Sequence, residues 1–320
     1  MIPLRLTPAC KDYLWGGTKL ITEYGKQTDK DKMAESWELS CHPDGESRVA
    51  GGPYDGLTLP EALERMGAGA LGERGAAFSQ FPLLIKLIDA RDRLSIQVHP
   101  DDAYALRVEG EYGKTEMWYV VDCEKGAALY VGFKDTTITR EQYIAAVNED
   151  RLPEILNRVE VKAGDVFFIP AGTVHALGKG IEVLEIQQTS DITYRIYDWN
   201  RTDAEGRSRE LHTALAVDAI DFSRDGEACH IKYSPKTNES VGMVDCPYFT
   251  TNIISLDGTC EKDYMSLDSF VLYICARGEA TVKMGDASEH IGPLDLVMIP
   301  AEADSVELSG KADLLEVYIK

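Results

Sequence analysis

Four polar side chains in this sequence are candidates to hold a metal ion. Gln97 and His99 lie two residues apart in an alternating run, so a strand would place both on one face. Glu116 opens the apolar run that follows, and His175 ends a Gly-x5-Pro-x-Gly-x2-His motif. Two imidazoles, a carboxylate and an amide oxygen suit Zn²⁺ with an open position for water or substrate, although Mn²⁺ or Co²⁺ would also fit.

Three basic residues could serve an anionic substrate. Lys86 interrupts the apolar run 83–88, where a charge is costly unless it is paired. It is either a paired lysine at a strand edge or part of a substrate pocket. Lys114 precedes Glu116 by two residues and would share its face if the strand extends that far back. Arg195 lies on a predicted strand as well.

The overall charge restricts the partners. The chain has 33 Lys and Arg against 54 Asp and Glu, which gives a net charge of −21. Such a field repels nucleic acid phosphates and anionic lipid, so neither is expected as a partner. An anionic substrate would need a local basic cluster, and the three residues above are the candidates for it.

The elements that must position these residues are mainly strands. Short runs rich in Val, Ile, Tyr and Phe, separated by Gly and Asp, are typical of an antiparallel barrel or sandwich rather than of βα units. The predicted strands are 95–99, 116–123, 127–133, 166–170, 181–188, 192–199, 249–256, 270–276, 279–284, 296–299 and 314–319.

A few helices are expected, all before residue 160. Thr58 with Glu61 forms a capping-box pattern, as does Thr139 with Gln142. Asp101 is expected to open a helix through residue 108, and a further helix is expected at Pro153. The polar segment 201–236 is interpreted as a connection between two halves.

A weak internal repeat links the halves. The run 117–121 and the later run 164–171 resemble 270–274 and 294–301. Two copies of one β module are the simplest explanation. The second copy has Glu302 and Ser305 where the first has Gly172 and His175, with Asp268 taken as the counterpart of Glu116. The second copy is therefore expected to bind no metal.

Cysteine usage and hydropathy indicate a reducing compartment. The seven cysteines are widely spaced and lack any CxxC pair, so neither a disulfide framework nor a thiolate zinc site is expected. No apolar run approaches the ~18 residues that a membrane span needs, and no N-terminal signal is apparent. A cytoplasmic location is the expectation.

Four linked motifs resemble a known family. The His175 motif resembles the second conserved motif of the cupin superfamily, in which this histidine is a metal ligand. The segments LSIQVHPD (94–101), GKTEMW (113–118), IPAGTVHA (169–176) and SDITYR (190–195), with Glu185, are similar to type I mannose-6-phosphate isomerases. The likeness is strongest to the short bacterial form and runs in order from Pro3 to about Trp199.

This resemblance implies a mainly β fold of two jelly-roll cupin modules with helical insertions in the N-terminal half. We expect a metal-binding module over 1–236 and a metal-free one over 237–320. It also implies one Zn²⁺ per chain, with the family's ligands falling on Gln97, His99, Glu116 and His175.

The resemblance implies an aldose–ketose isomerase that interconverts mannose 6-phosphate and fructose 6-phosphate. The active-site arginine falls on Arg195, the lysine near the metal on Lys114 and a further acidic residue on Glu185. Moving a proton between C1 and C2 through an enediol needs a base and a cation for the developing oxyanion. Lys114 or Glu185 could move the proton, and Lys86, Lys114 and Arg195 could bind the phosphorylated hexose.

Two other functions remain open from the sequence. A cupin oxygenase could hold Fe²⁺ on the same ligands but would need no lysine and arginine. A non-catalytic sugar-phosphate-binding cupin could have the fold without turnover. A monomer or weak homo-oligomer is expected in each case.

Overall fold

The computed structural model describes residues 1–203 and 205–320, which form 20 strands and seven helices. The strands are Leu4–Thr7 (β1), Ala9–Lys11 (β2), Glu35–Leu39 (β3), Arg48–Ala50 (β4), Leu83–Ala90 (β5), Ile96–Val98 (β6), Glu116–Cys123 (β7), Ala128–Phe133 (β8), Leu156–Glu160 (β9), Val166–Ile169 (β10), His175–Ala176 (β11), Ile181–Gln188 (β12), Tyr194–Tyr197 (β13), His230–Ile231 (β14), Ser240–Asp245 (β15), Thr250–Asp263 (β16), Val271–Met284 (β17), Ala287–Ile291 (β18), Leu296–Ile299 (β19) and Ser305–Tyr318 (β20). The helices are Lys19–Thr22 (α1), Leu59–Met66 (α2), Gly72–Ala76 (α3), Asp102–Val108 (α4), Arg140–Asn148 (α5), Leu152–Ile155 (α6) and Thr213–Ala219 (α7). The expectation of a mainly β fold is confirmed.

The chain divides into two compact units that interleave along the sequence. Unit 1 comprises Met1–Cys10, Ser36–Lys86 and Lys232–Lys320, and unit 2 comprises Lys11–Glu35 and Leu87–Ile231. Strands β2, β3 and β5 contain residues of both units. The expected division at residue 236 into two consecutive modules stays a prediction.

Unit 2 contains two antiparallel sheets with an apolar core. One sheet has the order β14-β10-β7-β12, and the other has the order β13-β6-β11-β8-β9. Trp118 and Phe167 from the first sheet pack in one buried cluster with Leu129 and Val131 from the second. The alternation of residues along each strand therefore aims one face of both sheets at a shared interior.

Helices cover the other face of the five-stranded sheet. Ile96, Val98 and Val174 lie in a second buried cluster with Tyr143 of α5 and Ala216 of α7. Both faces of β6 are thus covered, which leaves Ile96 and Val98 fully buried and Gln97 partly buried. Gln97 and His99 lie on the face opposite the helices.

The predicted helix starts are confirmed where a capping signal is present. Thr58 and Thr139 form full capping boxes at α2 and α5, and the Asp101 side chain accepts a hydrogen bond from the Tyr104 backbone N–H at α4. The expectation that no helix follows residue 160 is wrong. Helix α7 lies inside the segment expected to be a connection and has no side-chain cap, so it lacks the sequence signal.

Unit 1 is built on three long antiparallel strands. Strands β16, β17 and β20 are 14 residues each and pair along nearly their whole length. The expected break between 276 and 279 is wrong, because β17 continues through it with a register shift between Cys275 and Arg277. Apolar residues of these strands form the core of this unit.

Strand pairing supports the internal repeat but corrects its alignment. Glu116 pairs with Ile169 on β10, and Val271 pairs with Ile299 on β19. If the two Ile-Pro-Ala segments correspond, Val271 and not Asp268 occupies the position of Glu116. Asp268 instead lies in a loop, where its carboxylate accepts a hydrogen bond from the backbone N–H of Glu73 at 3.2 Å.

All seven cysteines are free thiols in the structure. Among the described residues, no helix has the length and apolar character required to cross a bilayer.

Two glycines of the long strands provide a matched test of packing. Gly258 and Gly278 both have positive φ, but a Cβ on Gly278 would lie 2.2 Å from the Lys311 carbonyl oxygen, whereas a Cβ on Gly258 would contact nothing within 4 Å. We expect Gly258→Ala to cost about 1–2 kcal/mol of unfolding free energy from backbone strain. Gly278→Ala should cost at least ~2 kcal/mol more from overpacking. Equal midpoints in urea denaturation would contradict this account.

Candidate metal centre

Three buried side chains of unit 2 converge on one point. Each of His99, Glu116 and His175 offers a ligand atom, and these atoms lie within 4.8 Å of one another. The two Nε2 atoms are 3.2 Å apart, and a Glu116 oxygen lies 3.3 Å from His175 Nε2. The other oxygen of Glu116 is 3.6 Å from His99 Nε2. Among the described residues, no other group of three such side chains could hold a metal.

The strand framework explains this convergence. His175 begins β11 and pairs directly with Gln97 on β6, so both side chains lie on one face of the five-stranded sheet. Glu116 begins β7 in the other sheet of unit 2. The ligands therefore approach from the two sheets that enclose the core of this unit.

Backbone carbonyls orient both imidazoles. Nδ1 of His99 donates to the Ile192 carbonyl at 2.7 Å, and Nδ1 of His175 donates to the Thr173 carbonyl at 2.8 Å. These bonds leave a lone pair on each Nε2, directed at the common point. Burial lowers the pKa of His175 to about 4, and the Lys114 ammonium contributes to the lowering. His175 is thus a neutral imidazole at neutral pH, as a metal ligand must be.

Gln97 completes a fourfold arrangement. Its Nε2 lies 3.5 Å from His99 Nε2 and 3.4 Å from His175 Nε2, while Ser95 donates to its Oε1 at 3.2 Å. A half-turn of the amide exchanges the two ends, which are nearly the same size. The Ser95 hydroxyl would then accept from the amide nitrogen, and Oε1 would face the imidazoles as a ligand.

The donor set fits a zinc ion. Ligands held at about 2.0–2.2 Å in a tetrahedron lie about 3.3–3.6 Å apart. The contacts among the four side chains fall between 3.2 and 3.6 Å. Two lone-pair nitrogens and a carboxylate at these distances repel one another unless a cation lies between them.

A lysine and a second carboxylate lie beside these ligands. Lys114 Nζ is 2.9 Å from Glu116 Oε2 and 3.6 Å from Glu185 Oε1. The Trp118 indole N–H donates to the other oxygen of Glu185 at 2.8 Å, and its ring meets the His175 ring edge-on at 5.4 Å. Lys114, Glu116 and Glu185 are all under 5% exposed. Two carboxylates and one ammonium leave a formal charge of −1, which a divalent cation reverses.

Arg195 lies on β13, the strand next to β6 in the five-stranded sheet. It pairs directly with Gln97, so Arg195, Gln97 and His175 form one row across β13, β6 and β11. Its Nη1 donates to the Glu210 carbonyl at 2.9 Å. Burial and the positive charges of Arg209 and Arg201 lower the pKa of Arg195 from its usual value. A guanidinium of this kind can pair with a carboxylate or phosphate through two parallel hydrogen bonds.

Comparisons with known proteins agree with this site. Residues 3–128 match the family model of the phosphomannose isomerase type I catalytic domain, and residues 240–319 match that of the mannose-6-phosphate isomerase cupin domain. Mannose-6-phosphate isomerase ManA of Bacillus subtilis is 37% identical over 99% of both chains. The mannose-6-phosphate isomerase of Streptococcus mutans is 37% identical over 98% of this chain and 97% of its own.

The chain belongs to the type I phosphomannose isomerase family.

Solved structures of the family share the fold. The crystal structure of mannose 6-phosphate isomerase from Bacillus subtilis covers 100% of both chains with a TM-score of 0.89 at 34% identity. A mannose 6-phosphate isomerase bound with zinc and yttrium has a TM-score of 0.78 over 100% of both chains. Its identity of 19% makes the second likeness one of fold alone.

The structure brings together most residues that sequence reasoning selected. Gln97, Lys114 and Glu185 lie around the cluster of His99, Glu116 and His175, and Arg195 lies one strand from Gln97. Lys86 belongs to unit 1, where its ammonium lies 4.8 Å from the Trp37 ring centroid. A substrate-binding role for Lys86 therefore stays a prediction.

Several partners of this site were not selected from the sequence. Trp118 follows Glu116 by two residues on the same strand face, and that spacing was the available signal. The roles of the Thr173 and Ile192 backbone carbonyls cannot be predicted from residue type, because every residue has a backbone carbonyl. Ser95, which donates to Gln97, lies two residues before it on the same strand face and could have been found by the same spacing.

Removing either imidazole should release the metal. We expect His99→Ala and His175→Ala, purified with added zinc, to retain far less than one metal per chain by elemental analysis, because only one imidazole, Gln97 and Glu116 remain as ligands. His230→Ala is the control, since His230 stacks on Phe167 in the same unit, at a ring distance of 4.6 Å, outside the ligand cluster. Full metal content in both ligand variants would contradict the assignment.

Proposed function

We propose that this chain is a mannose-6-phosphate isomerase that interconverts mannose 6-phosphate and fructose 6-phosphate. Its full-length relatives with this name and the family models over both ends of the chain support the assignment. The observation that carries the chemistry is Lys114, held between Glu116 of the ligand cluster and Glu185. A proton-transfer group is thereby adjacent to a site for a Lewis acid.

We propose that Gln97, His99, Glu116 and His175 hold one zinc ion per chain. The ligand spacing and the neutral state of His175 support this choice. When bound, zinc would polarise the carbonyl and hydroxyl oxygens at C1 and C2 of the sugar. A relative of the same fold is bound with zinc and yttrium.

Lys114 and Glu185 are the proposed proton-handling pair. Isomerisation requires a base that removes a proton from one carbon and an acid that returns it to the neighbouring carbon. Lys114 Nζ lies 3.6 Å from Glu185 Oε1, an ion pair that keeps both groups beside the metal ligands, where either could move the proton. The Trp118 indole N–H donates to the other oxygen of Glu185 and so fixes the orientation of this carboxylate.

Arg195 is the proposed cation for the anionic parts of the substrate. A guanidinium can pair with a phosphate bidentately or stabilise an enediolate. Its place in the row with Gln97 and His175 supports a role beside the reacting carbons. Lys86 is proposed as a further contact for the phosphorylated hexose.

We also propose a cellular location and an oligomeric state. Seven free thiols in a chain of 320 residues suit a reducing cytoplasm. A monomer or weak homo-oligomer is proposed, and sedimentation velocity at several concentrations tests it.

A coupled assay tests the function directly. Fructose 6-phosphate formation from mannose 6-phosphate, followed with the zinc-loaded protein, should show turnover that a chelator abolishes. In deuterated water the enediol route should introduce deuterium into the product during turnover. A zinc-loaded, folded protein with no turnover would leave only a sugar-phosphate-binding role, and turnover restored by Fe²⁺ but not by Zn²⁺ would refute the metal assignment.

Replacing Arg195 separates binding from chemistry. We expect Arg195→Ala to keep its metal and to lose kcat by at least ~100-fold, the scale of one lost electrostatic stabiliser. KM should change little if the guanidinium acts on the transition state, and should rise if it anchors the ground-state phosphate. Arg140→Ala is the matched control, because Arg140 is an exposed arginine paired with Asp218. Normal turnover of the Arg195 variant with metal intact would show that another residue handles the anion.

A further inference from the structure

The backbone around Lys114 is held by hydrogen bonds at three successive residues. The backbone N–H of Gly113 donates to the Asp102 carboxylate at 2.9 Å, and that of Lys114 donates to the Pro100 carbonyl at 3.0 Å. The Thr115 N–H donates to the side-chain oxygen of Gln188 at 2.8 Å. Lys114 lies outside strand β7, which begins at Glu116, so these bonds replace the ladder that would otherwise position it.

Gln188 contacts Thr115 through both its backbone and its side chain. The β7–β12 ladder ends at the pair Glu116 and Gln187, and one rung further the Gln188 N–H donates to the Thr115 carbonyl at 3.1 Å. The return bond cannot use the Gln188 carbonyl, which already accepts from the Gln187 side chain at 2.7 Å and from the Ser190 N–H at 2.8 Å. The side-chain oxygen of Gln188 takes the place of that carbonyl.

The other end of the Gln188 amide bonds to Asp102. Its Nε2 donates to Asp102 Oδ1 at 3.0 Å, the same oxygen that accepts from Gly113. The orientation of the amide is determined, because one end meets an N–H donor and the other a carboxylate. Gln188 and Thr115 are each 5% exposed, so water does not replace these bonds readily. We call the pair Asp102 and Gln188 the amide clamp.

The backbone of residues 113–115 is closely packed against neighbouring residues. A Cβ on Gly113 would lie 2.4 Å from the Asp101 carbonyl carbon and 2.5 Å from the Pro100 carbonyl oxygen. The Thr115 hydroxyl also accepts from the Ala171 N–H at 3.2 Å. Residues 113–115 are thus tied to helix α4, to strand β12 and to the loop that precedes His175.

We propose that Gln188 and Asp102 are positioning residues for Lys114 in the isomerase reaction. The hydrogen bonds of the amide clamp go to the backbone of Gly113 and Thr115, on either side of Lys114. The clamp acts by holding the Lys114 ammonium between Glu116 and Glu185, at 2.9 and 3.6 Å. The inference rests on the proposed function, since it concerns a step of that reaction.

The decisive substitution reverses the polarity of the clamp. Gln188→Glu places two carboxylates in contact at the Asp102 side and should lower kcat by at least ~10-fold, because a displacement of about 1 Å can cost 100-fold. KM and metal content should stay near wild type. Adding Asp102→Asn removes the charge repulsion, but one amide atom cannot both accept from the Gly113 N–H and donate to the introduced carboxylate, so Asp102→Asn/Gln188→Glu should recover kcat only in part. Gln142→Glu is the matched control, because Gln142 caps α5 through an acceptor oxygen that glutamate also supplies.

A double-mutant cycle with Lys114→Ala tests the route of the effect. If the clamp acts through Lys114, Gln188→Glu should cause no further loss of kcat once Lys114 is absent. Additive losses, or loss of metal from Gln188→Glu, would each overturn the proposal. If Gln188→Glu does not fold, Gln188→Met removes both amide bonds without adding charge and should show the same fall in kcat.

These outcomes differ from a failure of the proposed function. If wild-type protein with zinc has no isomerase turnover, the function is wrong and the clamp has no step to support. If wild type turns over and a folded Gln188→Met retains its kcat, the clamp alone is wrong.

Discussion

Unit 2 depends on one electrostatic constraint: several hydrogen-bond acceptors lie in contact with one another in a buried site. Nε2 of His99 and Nε2 of His175 lie 3.2 Å apart, with Glu116 against both. The Nδ1 protons are committed to backbone carbonyls, so neither ring can turn its donor toward the centre. Only a cation or a donor from outside the set relieves this contact. Bringing these acceptors together therefore destabilises the folded chain, and a bound metal would stabilise it.

The neighbouring groups are arranged around the same constraint. Lys114 supplies a charge to Glu116 without occupying the centre, and Glu185 gives that lysine a second partner. Trp118 in turn satisfies Glu185 from the side away from Lys114. Each group thus has a partner that keeps it beside the ligand cluster. Such arrangement before substrate arrives is what electrostatic catalysis requires.

Sequence reasoning was strongest where the signal is local. Gln97 and His99 were found from a period of two, and the motif that ends at His175 was found from its glycines and proline. Helix α7 was missed because it has no capping residue, and the long strand β17 was divided because Arg277 and Gly278 are typical of turns. The role of Gln188 depends on a contact with Thr115 across 73 residues of sequence, and no local pattern encodes it.

The second copy of the internal repeat, which lies in unit 1, shows which features belong to the fold rather than to the metal centre. On the register that equates Ile169 with Ile299, Tyr273 corresponds to Trp118 and Glu316 to Glu185, and each aromatic residue pairs directly with its glutamate. Glu316 is also buried, and Lys262 lies 3.2 Å from it. A buried glutamate with an aromatic and a lysine therefore exists without any ligand set, since Val271 and Ser305 replace Glu116 and His175. The two copies of the repeat differ in the acceptors at the centre, and this difference is why we propose a metal site in the first copy.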